Sequence, residues 1–555
     1  MILGPVSLID CLAFCIFLTP QLIWHVGFFR TTFAVLPMLP FLLIELPYRF
    51  IRDRYWASSA DSPSFVQRST VFEDVVVRCV RYAFKNLAAS IGKTFFSRNV
   101  ALPFLRWRAL RHGYLKWPGP KAIKGVWIMH DPKQAPDFVV YYVHGGGFAL
   151  GSCYFYLEFL MAWHHLLVDD GFRNPAIFAL DYTLVPDDIY PTQLLQTLEG
   201  YSHALSMVKD PSKLCVAGDS AGGTLVLSLL QELGARATGN RSKGAKLGVN
   251  GGLPESSLPA PLVAVLISPW VTLMSYRHYP SNVDFLDRRT LWKYAHEYAG
   301  RAMLNQAPAS PGSCNDEELW LRASPQRGYF VVYGSEEVFA PDAEDFLELQ
   351  ARLGIEVDGL RFDGGIHAWP VVSLFLSSTA DRRLEGLRSI VSQISKRVRQ
   401  PQANNEKNGV VVKRLVGRRV GEDRGVMSPG QRAGNSRCGR QAHGGERETP
   451  PARAFARDAR HRRATVARTS SVVAGVAGES GTTTWWQVTV TLLACFASLR
   501  LGRPPWSHLS SLWHVRYAVA MQAPNSGTQA QDPSSSDRQQ PERDNVGPAL
   551  VAAAE

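Results

Sequence analysis

Residues 213–230 read KLCVAGDSAGGTLVLSLL. A short apolar run enters a glycine-rich turn holding one serine and leaves as a second apolar run of helical length. The chain must pass from extended to helical backbone within a few residues around Ser220. Only glycine fits crowded positions beside so sharp a bend, and Gly218 and Gly222 occupy them. A buried strand feeding straight into a helix is half of a βαβ unit, so the neighbouring strands should run parallel.

The alternation continues on either side. PDFVVYYVHGGG, NPAIFALDYTL, KLCVAGDSAGG, PLVAVLISPW and RGYFVVYGSEE read as strands, and LRF as the end of another. FYLEFLMAWHHLLVDDG, QLLQTLEGYSHALSMV, TLVLSLLQELGAR and DAEDFLELQARLG read as the helices between them. Near-continuous apolar strands alternating with helices predict an α/β fold: a mostly parallel central sheet covered on both faces. This pattern occupies residues 126–400. Residues 55–125 have helical character and are expected to form a helical cap or linker. Residues 238–260 form a polar Gly/Ser loop.

The first 54 residues read as a membrane anchor of one or two apolar segments. Between Ile2 and Phe29 the only charged side chain is Asp10. The run is long enough to cross a hydrocarbon core, which takes about 20 residues. No basic residue precedes it, which favours an uncleaved transmembrane anchor over a signal peptide. The next run, TTFAVLPMLPFLLIELPY, contains Pro37, Pro40 and Glu45, which weaken it as a second span. Arg49, Arg52 and Arg54 then suggest a cytosolic position for the rest of the chain. Asn240-Arg241-Ser242 is a glycosylation sequon that matters only for a lumenal domain.

Residues 401–555 lack periodicity and read as a disordered basic tail, either a solvated extension or the product of a gene-model error. The tail holds 21 Lys and Arg against 12 Asp and Glu, which is 9 of the chain's net +12. The body is therefore near neutral, and no nucleic-acid partner is expected of it. The eight cysteines form no C-x-x-C pair, so neither a zinc site nor a disulfide scaffold is expected.

The chemistry concentrates in two glycine-rich turns. Gly218-Asp219-Ser220-Ala221-Gly222 fits G-x-S-x-G between a strand and a helix, and His144-Gly145-Gly146-Gly147 follows an earlier strand. Together they form the arrangement of lipases and esterases: an exposed serine on a strained elbow, with backbone amides for the oxyanion. The amides of Gly146, Gly147 and Ala221 are the candidate donors. A serine nucleophile needs a base, and the chain order in such a fold is serine, acid, histidine. His367, in Gly364-Gly365-Ile366-His367-Ala368-Trp369, has the right order and place. His278 and His296 precede the expected acid, and His443 and His461 fall in the tail. For the acid, Glu336, Glu337 and Asp342 compete just after the strand YFVVYG. A neutral histidine is required, so an imidazole of ordinary basicity predicts activity falling through about pH 6–7.

These residues resemble the hormone-sensitive-lipase-like branch of the α/β-hydrolases, the group of arylacetamide deacetylases and fungal steryl acetyl hydrolases. The resemblance covers roughly residues 126–400. HGGGF and GDSAGG carry it, supported by Asp181-Tyr182 with Pro186, by Tyr190-Pro191 and by Ser268-Pro269-Trp270. The family's acid segment, G-x-x-D-x-L, lays Glu337 over its aspartate and Phe339 over its leucine. Glutamate there is a departure, which keeps Glu336 as a rival. Ala368-Trp369 after the histidine is another. The resemblance implies an α/β-hydrolase fold with a helical cap. It also implies a Ser220–His367–Glu337 triad, an HGGG oxyanion hole, no metal or organic cofactor, and a hydrophobic acetyl or short-acyl ester as substrate. An anchored member of this group is expected in a membrane, that of the endoplasmic reticulum, with membrane lipid as a partner. The rival readings are a non-catalytic ligand-binding receptor or scaffold on the same fold, and an amidase using the same triad.

Overall fold

A computed structural model describes residues 2–58, 62–114, 125–237, 258–278 and 281–400, together with the backbone of 411–416. Eight strands form one sheet: β1 (Gly125–Met129), β2 (Phe138–Val143), β3 (Pro175–Leu180), β4 (Leu214–Asp219), β5 (Val263–Ile267), β6 (Tyr329–Gly334), β7 (Val357–Asp363) and β8 (Val411–Val416). Their order is β1-β3-β2-β4-β5-β6-β7-β8. Only β1 runs antiparallel, pairing Gly125 with Leu180, and every other neighbour is parallel. β1 has no counterpart among the strands expected from sequence, since five residues at an edge carry too short a pattern to recognise. β8 lies beyond residue 400, within the stretch expected to lack structure. Residues 417–555 and the Asn240 sequon lie outside the described residues.

Among the described residues, eleven helices of eight residues or more accompany the sheet: α1 (Leu8–His25), α2 (Phe28–Trp56), α3 (Val71–Asn86), α4 (Arg98–Arg111), α5 (Leu157–Asp169), α6 (Thr192–Val208), α7 (Ala221–Arg236), α8 (Arg288–Met303), α9 (Ala340–Arg352), α10 (Trp369–Leu376) and α11 (Ala380–Arg399). The period of two along β2 shows why its sequence is continuously apolar. Val139, Tyr141 and Val143 enter one core with α6, α7, α8 and α9. Phe138, Val140 and Tyr142 enter the other with α5, α10 and α11. A strand buried on both faces has no position left for a polar residue. Each such side chain contributes about 1.5–3 kcal/mol on burial.

α1 and α2 are both long and apolar enough to cross a membrane. Pro37 and Pro40, expected to interrupt the second segment, are absorbed within α2. A wide helical turn at Phe41–Glu45 follows Pro40, as happens where the regular hydrogen-bond ladder must skip a missing N–H. Between residues 62 and 114 the described chain is largely helical. α3 begins with a reciprocal cap in which Thr70 accepts from the Glu73 amide and Glu73 accepts from the Thr70 amide.

β2 connects leftward to β3, whereas β4 connects rightward to β5. The two strands are adjacent, so the topology reverses between them. In an open parallel sheet, ligands bind outside the carboxyl ends of the strands at such a reversal. His144 follows the end of β2 and Ser220 the end of β4.

Candidate active site

Ser220 sits between β4 and α7 with φ 52° and ψ −120°, a conformation that a non-glycine residue adopts only when its surroundings enforce it. The enforcement is visible. The Ser220 amide donates to Ile267 O at 3.0 Å, and its carbonyl accepts from the Trp270 amide at 3.1 Å. A Cβ on Gly222 would stand 2.0 Å from Val143 O, so this elbow can press against the end of β2 only as glycine.

The HGGG turn is held from the same elbow. Asp219 Oδ1 accepts the Gly145 amide at 2.8 Å and the Tyr142 hydroxyl at 2.6 Å, while Oδ2 accepts the Tyr156 hydroxyl at 2.8 Å. Burial pushes the Asp219 carboxyl up to about 6, against the pull of these donors. His144 stacks on Tyr182 with ring centroids 4.4 Å apart. Its Nδ1 lies 2.8 Å from Gly145 O. His144 is thus built into the turn and is not a free base. With the Gly145 amide committed to Asp219, those of Gly146 and Gly147 are the next donors along the turn. A Cβ on Gly146, where φ is 110°, would lie 2.2 Å from Leu150 O. Ala221 stands at the N-terminus of α7, whose partial positive end favours developing negative charge.

The rival carboxylates separate by partner. Glu336 accepts the amides of Ser64 at 2.7 Å and Phe65 at 3.3 Å, so it caps a short helix of the N-terminal region. Asp342 lies 3.2 Å from Nε2 of the buried His278 and accepts from the Ser275 hydroxyl. Glu337 is fully buried, with Oε2 4.0 Å from Nδ1 of His367. That is longer than a hydrogen bond. Glu337 Oε1 and His367 Nδ1 are nevertheless both buried without a partner among the described residues, and each is the complementary group to the other. A shift of roughly 1 Å would bring Glu337 Oε2 within hydrogen-bond distance of His367 Nδ1.

Two residues beyond those predicted organise this pair. The Ser268 hydroxyl donates to Glu337 Oε2 at 2.5 Å and accepts the Ala368 amide at 2.9 Å. Asp284 accepts the His367 amide through Oδ1 at 3.1 Å and the Val338 amide through Oδ2 at 2.9 Å. Ser268 was visible in the sequence as part of Ser268-Pro269-Trp270, and its position just after β5 was the available signal. Asp284 lies in a loop of no recognisable pattern and gave none.

The electrostatics differ from the ordinary histidine expected from sequence. Burial lowers His367 to about 3. Burial raises the Glu337 carboxyl well above its usual range, and the nearby Asp284 pushes it further the same way. Asp284 itself is raised by burial to about 6. Burial thus disfavours the charged form of both members of the pair. A histidine so buried predicts a fall in activity at lower pH than the 6–7 expected from sequence. Chemically, the site offers a strained serine, a neutral imidazole, a buried carboxyl behind it and a set of amides. That set can carry acyl transfer. Among the described residues no group of three or more metal-ligating side chains occurs.

Residues 140–371 match a family model described as alpha/beta hydrolase fold. An acetyl-hydrolase of Streptomyces hygroscopicus is 26% identical over 243 residues, 43% of this chain and 70% of that protein. The esterase LipI of Mycobacterium tuberculosis is 27% identical over 255 residues, 43% of this chain and 68% of that protein. The hormone-sensitive lipase of Bos taurus is 28% identical over 122 residues, 21% of this chain and 15% of that protein.

Proposed function

We propose that this chain, a carboxylic ester hydrolase with an α/β-hydrolase fold of the hormone-sensitive-lipase-like kind, works through Ser220, His367 and Glu337. Ser220 Oγ attacks the ester carbonyl as His367 takes its proton. The amides of Gly146, Gly147 and Ala221 receive the oxyanion, each such donor lowering the barrier by about 3 kcal/mol. His367 then returns the proton to the leaving alcohol. Water repeats the sequence to free the acid. Glu337 orients the imidazole through Nδ1. As the imidazolium forms, the Glu337 carboxylate beside Nδ1 stabilises it.

The observations that support this reading are the pair of unpartnered buried atoms, Glu337 Oε1 and His367 Nδ1, and the strained elbow at Ser220. A receptor on the same fold would have no use for either. The acyl group we assign is acetyl or short, as the resemblance implies and as the name of the Streptomyces relative suggests. An amide substrate would use the same groups. We assign a membrane location on the two apolar helices α1 and α2.

The test is hydrolysis of p-nitrophenyl esters of increasing acyl length by the full chain, beside Ser220→Ala. Loss of essentially all turnover, with the fastest wild-type rates on acetate and butyrate, fits the proposal. Equal rates for the two proteins would remove Ser220 from the mechanism.

A further inference from the structure

A single uncleaved span would place the N-terminus and the hydrolase on opposite sides of a membrane. The described residues arrange the chain otherwise. Leu3 is buried in the core beneath the sheet, and its carbonyl accepts from Arg383 of α11 at 2.7 Å. The Gly4 carbonyl accepts from Arg108 of α4 at 2.7 Å. Asp10, wholly buried in the first turns of α1, binds Arg108 at 2.9 Å and Arg111 at 2.9 Å. Arg108 in turn donates two bonds to Glu158 of α5, at 2.9 and 2.8 Å. The start of α1 is thus fixed to helices that cover the catalytic sheet.

The end of α2 returns to the same body. Arg54 donates to the carbonyls of Val66 at 3.2 Å and Ser69 at 2.5 Å, and Asp53 pairs with Arg78 of α3 at 2.9 Å. Ser64 and Phe65 then bind Glu336, next to the catalytic acid. Further along, Phe14 of α1 packs on Phe95 and Phe104, and α2 meets Tyr82 through the Pro37 carbonyl and the Phe41 ring, so the hairpin projects around its turn at Gly27, where φ is 96°.

The outward face of this hairpin is apolar. Of the 24 exposed large hydrophobic residues described, 15 lie between Ile9 and Trp56. Near the turn, Trp24 is 85% exposed, Phe29 74% and Phe33 70%. Toward the hydrolase the exposed residues become Tyr48, Tyr55 and Trp56, interleaved with Arg49 and Arg52. Aromatic residues mixed with arginine mark a membrane–water boundary. A surface of this size and gradation suits a lipid bilayer better than a protein partner.

We propose that α1 and α2 enter the bilayer as a hairpin with both ends fixed to the hydrolase, so that the N-terminus and the catalytic domain face the same compartment. This rests on the membrane location proposed for the chain and refines it. Whether the turn stops within the bilayer or emerges beyond it, the two ends stay together.

The test uses the full chain, tagged ahead of Met1, in sealed microsomes. Alkaline carbonate extraction comes first, followed by protease digestion read with the tag and with antibody to the hydrolase. The expected result is retention in the membrane pellet, with tag and hydrolase both digested or both protected. Retention with one digested and the other protected would overturn the hairpin while leaving the membrane location intact. Release by carbonate would overturn both. Loss of the tag from the mature protein would reveal a cleaved leader and overturn the hairpin.

Discussion

The molecule buries carboxylates in two places and treats them differently. Beneath α1, Asp10 and Glu158 surround the wholly buried Arg108, with Arg383 3.7 Å from Glu158. Each negative group there has a guanidinium at hand. At the ends of β5, β6 and β7, Glu337 and Asp284 are just as buried, yet their hydrogen bonds come from hydroxyl and amide donors, and Arg81 acts on Asp284 only at longer range. A charge-balanced cluster can only hold parts together. A carboxyl buried without a hydrogen-bonded cation is raised above its usual pKa, and its charged form is favoured when positive charge appears beside it. The contrast separates a structural clamp from a site poised for proton transfer.

The largest expected effect falls on the poised site. His367→Ala should lower kcat by at least about 10⁴-fold, and Glu337→Gln by roughly 10³–10⁴-fold, with both proteins folded by circular dichroism. A Glu337→Gln enzyme within tenfold of wild type would remove that residue as the orienting acid. The clamp should respond in stability instead. Arg108→Leu removes the guanidinium shared by Asp10 and Glu158, leaving Asp10 to Arg111 and Glu158 to the more distant Arg383, and should cost about 3 kcal/mol in chemical denaturation. An unchanged midpoint would show that the cluster holds nothing.

Smaller changes sharpen the division. Ser268→Ala removes the hydroxyl joining Glu337 Oε2 to the Ala368 amide, and should lower kcat by roughly 10–100-fold through misplacement of the pair. Ser268→Thr, which keeps the hydroxyl, should recover much of that loss if it fits. Glu336→Gln should cost about 1 kcal/mol of stability through its bonds to Ser64 and Phe65, and leave kcat within a few-fold. A collapse of kcat in Glu336→Gln would reverse the assignment of the two glutamates.

The pH profile should show the smallest change of all. With His367 lowered to about 3, kcat/KM should stay level from pH 8 to about 5, instead of falling through pH 6–7. The stability contribution has a defined sign. Unfolded, this histidine takes up a proton below its ordinary 6.5, while the folded protein refuses one until about 3. Stability tied to His367 is therefore lost as pH falls through that window. Folding must be monitored in the same samples. A fall in kcat/KM centred near 6.5 in a protein that remains folded would show a solvated imidazole and contradict the buried geometry.

The catalytic half of the fold was legible because its signals are local. A strand buried on both faces must be continuously apolar, and GDSAGG needs its glycines where β2 and β4 touch, so both features stand in the sequence itself. The choice between Glu336 and Glu337 was not legible. Adjacent residues point in different directions, and only the position of Ser64, 272 residues away along the chain, shows which one is occupied. Asp284 was invisible for the same reason, since its two partners lie in separate loops. The hairpin was half legible. Hydropathy shows an apolar segment, but the attachment of its start to α4, α5 and α11 depends on Asp10, which in sequence looks only like a blemish in the run.

The central claim is that Ser220 forms an acyl-enzyme. The most direct measurement is mass spectrometry of the full chain mixed with p-nitrophenyl acetate and quenched in acid within milliseconds. The account predicts a burst of one p-nitrophenol per protein and a single acetyl group on the peptide containing Ser220. Turnover with no acylated peptide, or with the acetyl group on another residue, would contradict it.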